Sequence, residues 1–153
     1  MTTSVVEFFV KGEPRAKQSF RASKTGKGGF TPAYIKAWQS DVGWCAQKAI
    51  REIDMLDPLE GNLTVELIFF LGNYRRIDLD NLSKAVQDGL NHITWKDDQQ
   101  NISLILNKYV CVDSQGVLVK ISENSRPLEI SLEDMNSMIS GAFIVDVGRL
   151  EFA

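Results

Sequence analysis

The stretch from Leu63 to Leu71 constrains the fold more than any other part of the chain. Leu63, Val65, Leu67, Phe69 and Leu71 alternate with Thr64, Glu66, Ile68 and Phe70, which is the two-residue period of a strand with apolar side chains on much of both faces. Such a strand belongs in the middle of a sheet, because an edge position would leave apolar surface uncovered. Gly72-Asn73 ends the run, and the period then changes. Leu82, Ala85, Val86, Gly89, Leu90 and Ile93 follow the helical template, which predicts a helix over about 81–93.

The flanking elements fall out of the same patterns. Val5 to Val10 is rich in β-branched and aromatic residues and is ended by Lys11-Gly12-Glu13-Pro14, so it reads as a first strand. Thr31 as N-cap and Pro32 at the first helical position open a helix whose apolar stripe is Tyr34, Trp38, Val42, Cys45, Ala49 and Ile53. Ile102 to Val110 and Gly116 to Ser122 read as two strands joined as a hairpin. Ser131 with Asp134 opens a short helix, Gly141 ends it, and Phe143 to Val147 is a further strand or strap. The expected fold is α+β: a mixed sheet with helices in the order β-α-β-α-β-β, plus a C-terminal α-β extension. At 153 residues the chain suits one domain that buries roughly 68–70% of its unfolded surface, with residues 1–122 as its body and 123–153 as an acidic extension packed on it.

Several function classes drop out. No run approaches the roughly 18–20 apolar residues of a membrane span, and the N-terminus reads as a strand rather than a signal peptide, so a cytoplasmic protein is expected. Cys45 and Cys111 lack metal-ligand spacing and read as reduced packing residues, and the lone His92 cannot build a histidine-rich zinc site.

The net charge of −3 hides an uneven distribution. Residues 1–122 hold 15 Lys/Arg against 14 Asp/Glu, whereas 123–153 hold 2 against 6. Lys11, Arg15, Lys17, Arg21, Lys24 and Lys27 crowd a glycine-rich loop that carries Phe20 and Phe30 and only Glu13 as acid. Its functional reading is a nucleic-acid contact, with cations on phosphates and a phenylalanine stacked or wedged against a base; its bland reading is a solvated loop. Lys108 and Lys120 further on are solvated face residues or additional DNA contacts.

The chemistry gathers between Arg75 and Gln100. On the predicted helix Asp80, Asn81, Lys84 and Asp88 fall within about 60° of Lys84, opposite the apolar face. Asp78 precedes Asp80 by two residues in extended chain and projects to the same side. Helix capping would occupy one of these carboxylates, yet two at about 4 Å repel by roughly 4 kcal/mol at an effective dielectric near 20. A cation shared by Asp78, Asp80 and the Asp97-Asp98 pair relieves that repulsion. An EF-hand is excluded, since Ser83 and Gly89 stand where its glycine and glutamate belong. An all-oxygen set suits Mg²⁺, or Mn²⁺, which can activate water and stabilise a phosphoryl group, with Lys84 alongside.

Arg-x-x-Asp-Leu-Asp-Asn-Leu-x-Lys, then an aspartate on the same helix, then Trp-x-Asp-Asp-x-Gln, resembles the core motif of the RusA family of Holliday-junction resolvases. It runs here through Arg75, Asp78, Asp80, Asn81, Leu82, Lys84, Asp88, Trp95, Asp97, Asp98 and Gln100 or Gln99. A looser similarity extends from Val5 to about Ser122, taking in Gly12-Glu-Pro-x-x-Lys17. The resemblance implies a homodimer that binds four-way junctions and nicks two opposed strands with Mg²⁺. It implies Asp78, Asp80 and Asp98 as metal ligands, with Asp97 as a further candidate, and a catalytic Lys84. Two departures stand out: Ile77 replaces a basic residue often found before the first motif aspartate, leaving Arg75 and Arg76 for DNA, and the tail is longer and acidic. Other branched or flapped DNA as substrate, and a non-catalytic DNA-binding module with structural aspartates, are the alternatives.

Overall fold

The computed structural model describes residues 5–17, 30–146 and 148, and is built around strand β2, Leu63–Leu71. Leu63, Val65, Leu67 and Phe69 have no exposed surface, while the residues between them are half-buried on the opposite face. β2 runs parallel to β3 (Asn101–Val110) on one side and antiparallel to β4 (Gly116–Glu123) on the other. β1 (Val6–Lys11) pairs antiparallel with β4, giving the order β1-β4-β2-β3. The expected mixed sheet with a central Leu63–Leu71 strand is what forms.

Helix α1 (Ala33–Glu52) lies between β1 and β2 in sequence, and helix α2 (Leu79–Leu90) between β2 and β3. Ile35, Trp38, Val42 and Ala46 from α1 and Leu82, Ala85, Val86 and Leu90 from α2 join the inner residues of the strands in one core. Each fully buried Ile, Val or Leu among them contributes about 1.5–3 kcal/mol on burial. The two helices cross backbone against backbone. A Cβ on Gly89 would stand 2.7 Å from the Gln39 carbonyl oxygen, and one on Gly43 would stand 3.1 Å from the Gly89 carbonyl oxygen.

Four expectations need correction. β3 and β4 do not form a hairpin, because β2, apolar on both sides, takes the place between them. The 111–115 connection instead passes over the end of β2: Cys111 N–H donates to Leu71 O at 2.7 Å and Gly72 N–H to Gln115 Oε1 at 3.3 Å. The buried stripe of α1 is centred on Ile35, Trp38, Val42, Gly43 and Ala46, which leaves Tyr34 and Ile53 exposed at 54% and 47%. Pro32, not Thr31, is the N-cap position of α1, with no side-chain cap. α2 starts two residues earlier than expected, at Leu79, which packs against the core.

The other sheet face carries an aromatic strip. Phe9 meets Phe70 edge-on at 6.2 Å and Phe70 stacks on Tyr109 at 6.0 Å, with Gly116 leaving room for the Phe9 ring. Beyond β4, Asn124 Nδ2 donates to Thr64 Oγ1 at 2.9 Å and Arg126 Nη2 to Ile102 O at 3.4 Å. Helix α3 (Leu132–Met138) follows, capped by Ser131 Oγ accepting from Asp134 N–H, and has no buried residue. Phe143 to Asp146 form no strand; Val147 lies outside the described residues. No helix among the described residues is long and apolar enough to cross a membrane. Gly89→Ala is expected to lower unfolding free energy by about 1–3 kcal/mol, because the methyl forces α1 and α2 apart; urea denaturation measures it.

Candidate active site

Residues 72–78 lead from the C-terminal end of β2 into α2, so the residues that open α2 stand at that end of the sheet. Asp78 occupies the N-cap position with extended backbone, φ −71° and ψ 130°, yet its carboxylate accepts no capping hydrogen bond. Asp80 lies in the first turn, and its Oδ2 is 3.4 Å from Lys84 Nζ in an i, i+4 ion pair. Both side chains are substantially exposed, so the pair contributes little stability, about 0.3–0.5 kcal/mol. Its consequence is positional: the ammonium is held beside the first turn of α2.

The second aspartate pair divides in role. Asp97 caps the short 3₁₀ turn Asp98–Gln100, its Oδ1 accepting from Gln99 N–H at 3.0 Å. Asp98 Oδ1 instead accepts from the indole N–H of the fully buried Trp95 at 2.7 Å. The turn is fastened by Gln100, whose Oε1 accepts from Lys96 and Asp97 N–H at 2.9 Å each. Its Nε2 donates to Leu59 O at 2.8 Å and Gly61 O at 2.9 Å. Lys96 also pairs with Glu60, and the hydrogen bond from Lys96 holds the Glu60 carboxyl below its ordinary value.

Among the described residues no three acidic, histidine or cysteine side chains come together as a group that could hold a metal ion. Asp78 and Asp80 open α2 at the C-terminal end of β2, whereas Asp97 and Asp98 stand past the other end of α2, where Gln100 meets Leu59 and Gly61 and Asn101 pairs with Leu63 at the start of β2, so the four do not form one cage within the chain. The donor chemistry still fits a hard cation, since it is carboxylate oxygen throughout and Asp78 is left uncapped. Cys45 offers no competing nucleophile: burial, then nearby Asp41, push its thiol up, which disfavours the thiolate.

The root of the basic loop is strapped along α2. Lys17 N–H donates to Asn81 O at 2.9 Å, and the Lys17 ammonium pairs with Asp88. Asp88, which sequence reasoning left without a task, therefore anchors this loop. Glu13 sits between two arginines: Oε2 is 3.0 Å from Arg15 Nη2 and Oε1 is 2.6 Å from Arg75 Nη1. Arg15 also lies over the Tyr34 ring at 5.4 Å. Arg15, Tyr34, Arg75, Arg76, Asp78 and Asn81 line a pocket of about 350 Å³. Phe30 and Lys11 are exposed, whereas Phe20, Arg21, Lys24 and Lys27 lie outside the described residues. Lys108, read from the sequence as a solvated face residue or DNA contact, donates to Ile77 O at 2.8 Å, next to Asp78; parallel β2–β3 pairing, invisible in the sequence, puts it there. Lys120 is taken up by Glu66 at 3.7 Å and Glu7 at 4.0 Å on the other sheet face.

A family model described as Endodeoxyribonuclease RusA matches residues 11–122. The chain belongs to the RusA family. The matched span runs from the last residue of β1 into β4 and takes in α1, α2, the Asp98–Gln100 turn and the arginine pocket. The extension from Glu123 lies outside it. No curated protein matches the chain. In this RusA-family protein Gln100→Glu is expected to be more damaging than its size suggests, because an acceptor replaces the amide facing two carbonyls. A loss of about 2 kcal/mol in urea denaturation at neutral pH checks this.

Proposed function

We propose that this RusA-family chain is a Mg²⁺-dependent, structure-selective endodeoxyribonuclease that resolves four-way DNA junctions by paired nicks, in recombination and repair. The observation that carries the reading is the uncapped Asp78 carboxylate beside the Asp80–Lys84 pair, on the rim of a pocket lined by three arginines. A helix N-terminus that leaves its N-cap carboxylate free of the capping bond keeps that carboxylate for another partner.

The residues divide the work. Asp78 and Asp80 would hold the divalent cation, while Asp98, the third motif carboxylate, stands at the other end of α2 on the Trp95 indole and Asp97 is occupied as a cap. The cation, Mg²⁺ or Mn²⁺, supplies charge neutralisation on the phosphoryl group and lowers the pKa of bound water. Asp80 keeps the Lys84 ammonium oriented, and Lys84 stabilises negative charge that grows on the phosphate oxygens as water adds to phosphorus and the strand's P–O bond breaks. Arg15, Arg75 and Arg76 grip the strand by its phosphates, and Lys11 adds a further cation, with Arg21, Lys24 and Lys27 as phosphate contacts proposed from the sequence alone. Two opposed nicks need two copies of the site, which a homodimer with a two-fold axis provides.

The test is a labelled four-way junction incubated with Mg²⁺. Folded Asp80→Asn and Lys84→Met variants should still bind the junction but cut at least about 100-fold more slowly, and chelation should abolish cutting. Equal cutting by Asp80→Asn removes the carboxylate assignment. Faster cutting of flaps than of junctions would move the substrate to other branched DNA, and salt-sensitive binding with no divalent-dependent cutting would leave a DNA-binding module.

A further inference from the structure

Arg75 is only partly satisfied. Its Nη1 donates to Glu13, but Nε and Nη2 are shielded from solvent and have no acceptor. In a planar guanidinium Nε and Nη2 share one edge, the side-on fork that matches two oxygens of a phosphate or carboxylate. Leaving charged donors dry and unmatched costs free energy, roughly 1–3 kcal/mol for each group, and a site that carries such a cost needs a reason.

The surroundings supply one. The pocket that Arg75 lines holds three guanidiniums, those of Arg15, Arg75 and Arg76, against the single carboxylate of Asp78. Glu13 offsets part of this excess, leaving one net positive charge among the three arginines, Asp78 and Glu13, and by engaging Arg75 Nη1 and Arg15 it fixes the plane of Arg75 while the Nε–Nη2 edge stays unmatched. A volume of about 350 Å³ is at the low end for ligand pockets and suits one nucleotide's phosphate and sugar rather than a base pair. Because Asp78 shares the lining, an anion there lies next to the carboxylates assigned to catalysis.

We propose that this pocket is a phosphate site, in which the Nε–Nη2 edge of Arg75 takes one backbone phosphate of the DNA strand adjacent to the phosphate that is cut. The site deepens the nuclease reading and rests on it. The two nitrogens lie behind the pocket surface, so the phosphate reaches them as the lining gives way, and the dry surroundings strengthen the charge-assisted bonds it then makes. Arg75 is a positioning residue: it sets where the strand lies, and the chemistry stays with the carboxylates and Lys84.

The experiment uses the full chain in chelator, where nothing is cut. ¹⁵N-labelled protein is titrated with thymidine 5′-monophosphate while the Arg75 Nε–H resonance, assigned through its own side-chain correlations, is followed. A saturable shift at Arg75, absent at the distant Arg51, is expected; an Arg75 signal that stays put at high monophosphate overturns the proposal. Junction binding in chelator adds a second readout. Arg75→Lys keeps the charge but loses the fork, so it should weaken binding roughly tenfold or more with an unchanged salt slope. Arg75→Gln should also lower the slope of log K against log salt by about 0.9, one phosphate's share. A folded Arg75→Lys that binds like wild type overturns the site. If the monophosphate moves Arg75 but Mg²⁺ never produces nicks, the nuclease reading fails and the phosphate site stands; if junctions are cut and Arg75 neither shifts nor matters, the site alone fails.

Discussion

Most of this structure follows from the need to cover both sides of β2. Its inner residues are sealed by α1 and α2, and its two edges are sealed by β3 and β4, which satisfies its backbone on both sides. Covering β2 in this way fixes the path that follows it. The chain must leave at Leu71, turn through Asn73 to Ile77, and enter α2 on the side of the sheet where the core lies. The acids that open α2 are thereby presented at the C-terminal end of a central strand, the end at which sheets with parallel strand pairs characteristically hold their ligands.

The sequence announces the elements with long, regular periods and is silent on how they are paired. β2 and α2 are readable because each repeats its pattern over several turns or pleats. The separation of β3 from β4 is not readable, since a five-residue connection looks the same whether it joins neighbours or crosses the end of a third strand. The α1 stripe is displaced for a related reason: aromatic residues such as Tyr34 suggest burial by type, whereas close helix crossing at Gly43 and Gly89 decides which face is inside. Lys17 with Asp88, and Glu13 with Arg75, are long-range partnerships that a local pattern cannot contain.

The four motif aspartates show how similar side chains are put to different uses by backbone context. Asp97 and Asp78 both sit at N-cap positions with extended backbone, but Asp97 accepts the capping bond and Asp78 does not. Asp98 is oriented by a buried indole and Asp80 by an exposed ammonium. The acids were legible in the sequence as a group; their division of labour was not, because it depends on hydrogen bonds that the spacing of residues leaves open.

Gln100 closes a loop of chain. Its amide meets the carbonyls of Leu59 and Gly61, and the Leu59 N–H meets Thr94 O at 2.8 Å, so the segment that contains all of β2 and α2 has its two ends clasped without a covalent link. A chain fastened at both ends loses the freedom to fray from either, and its members open together or not at all. The strand and the helix thus lie within one non-covalent ring, with Asp97 and Asp98 at its closure and Asp78 and Asp80 at its far side.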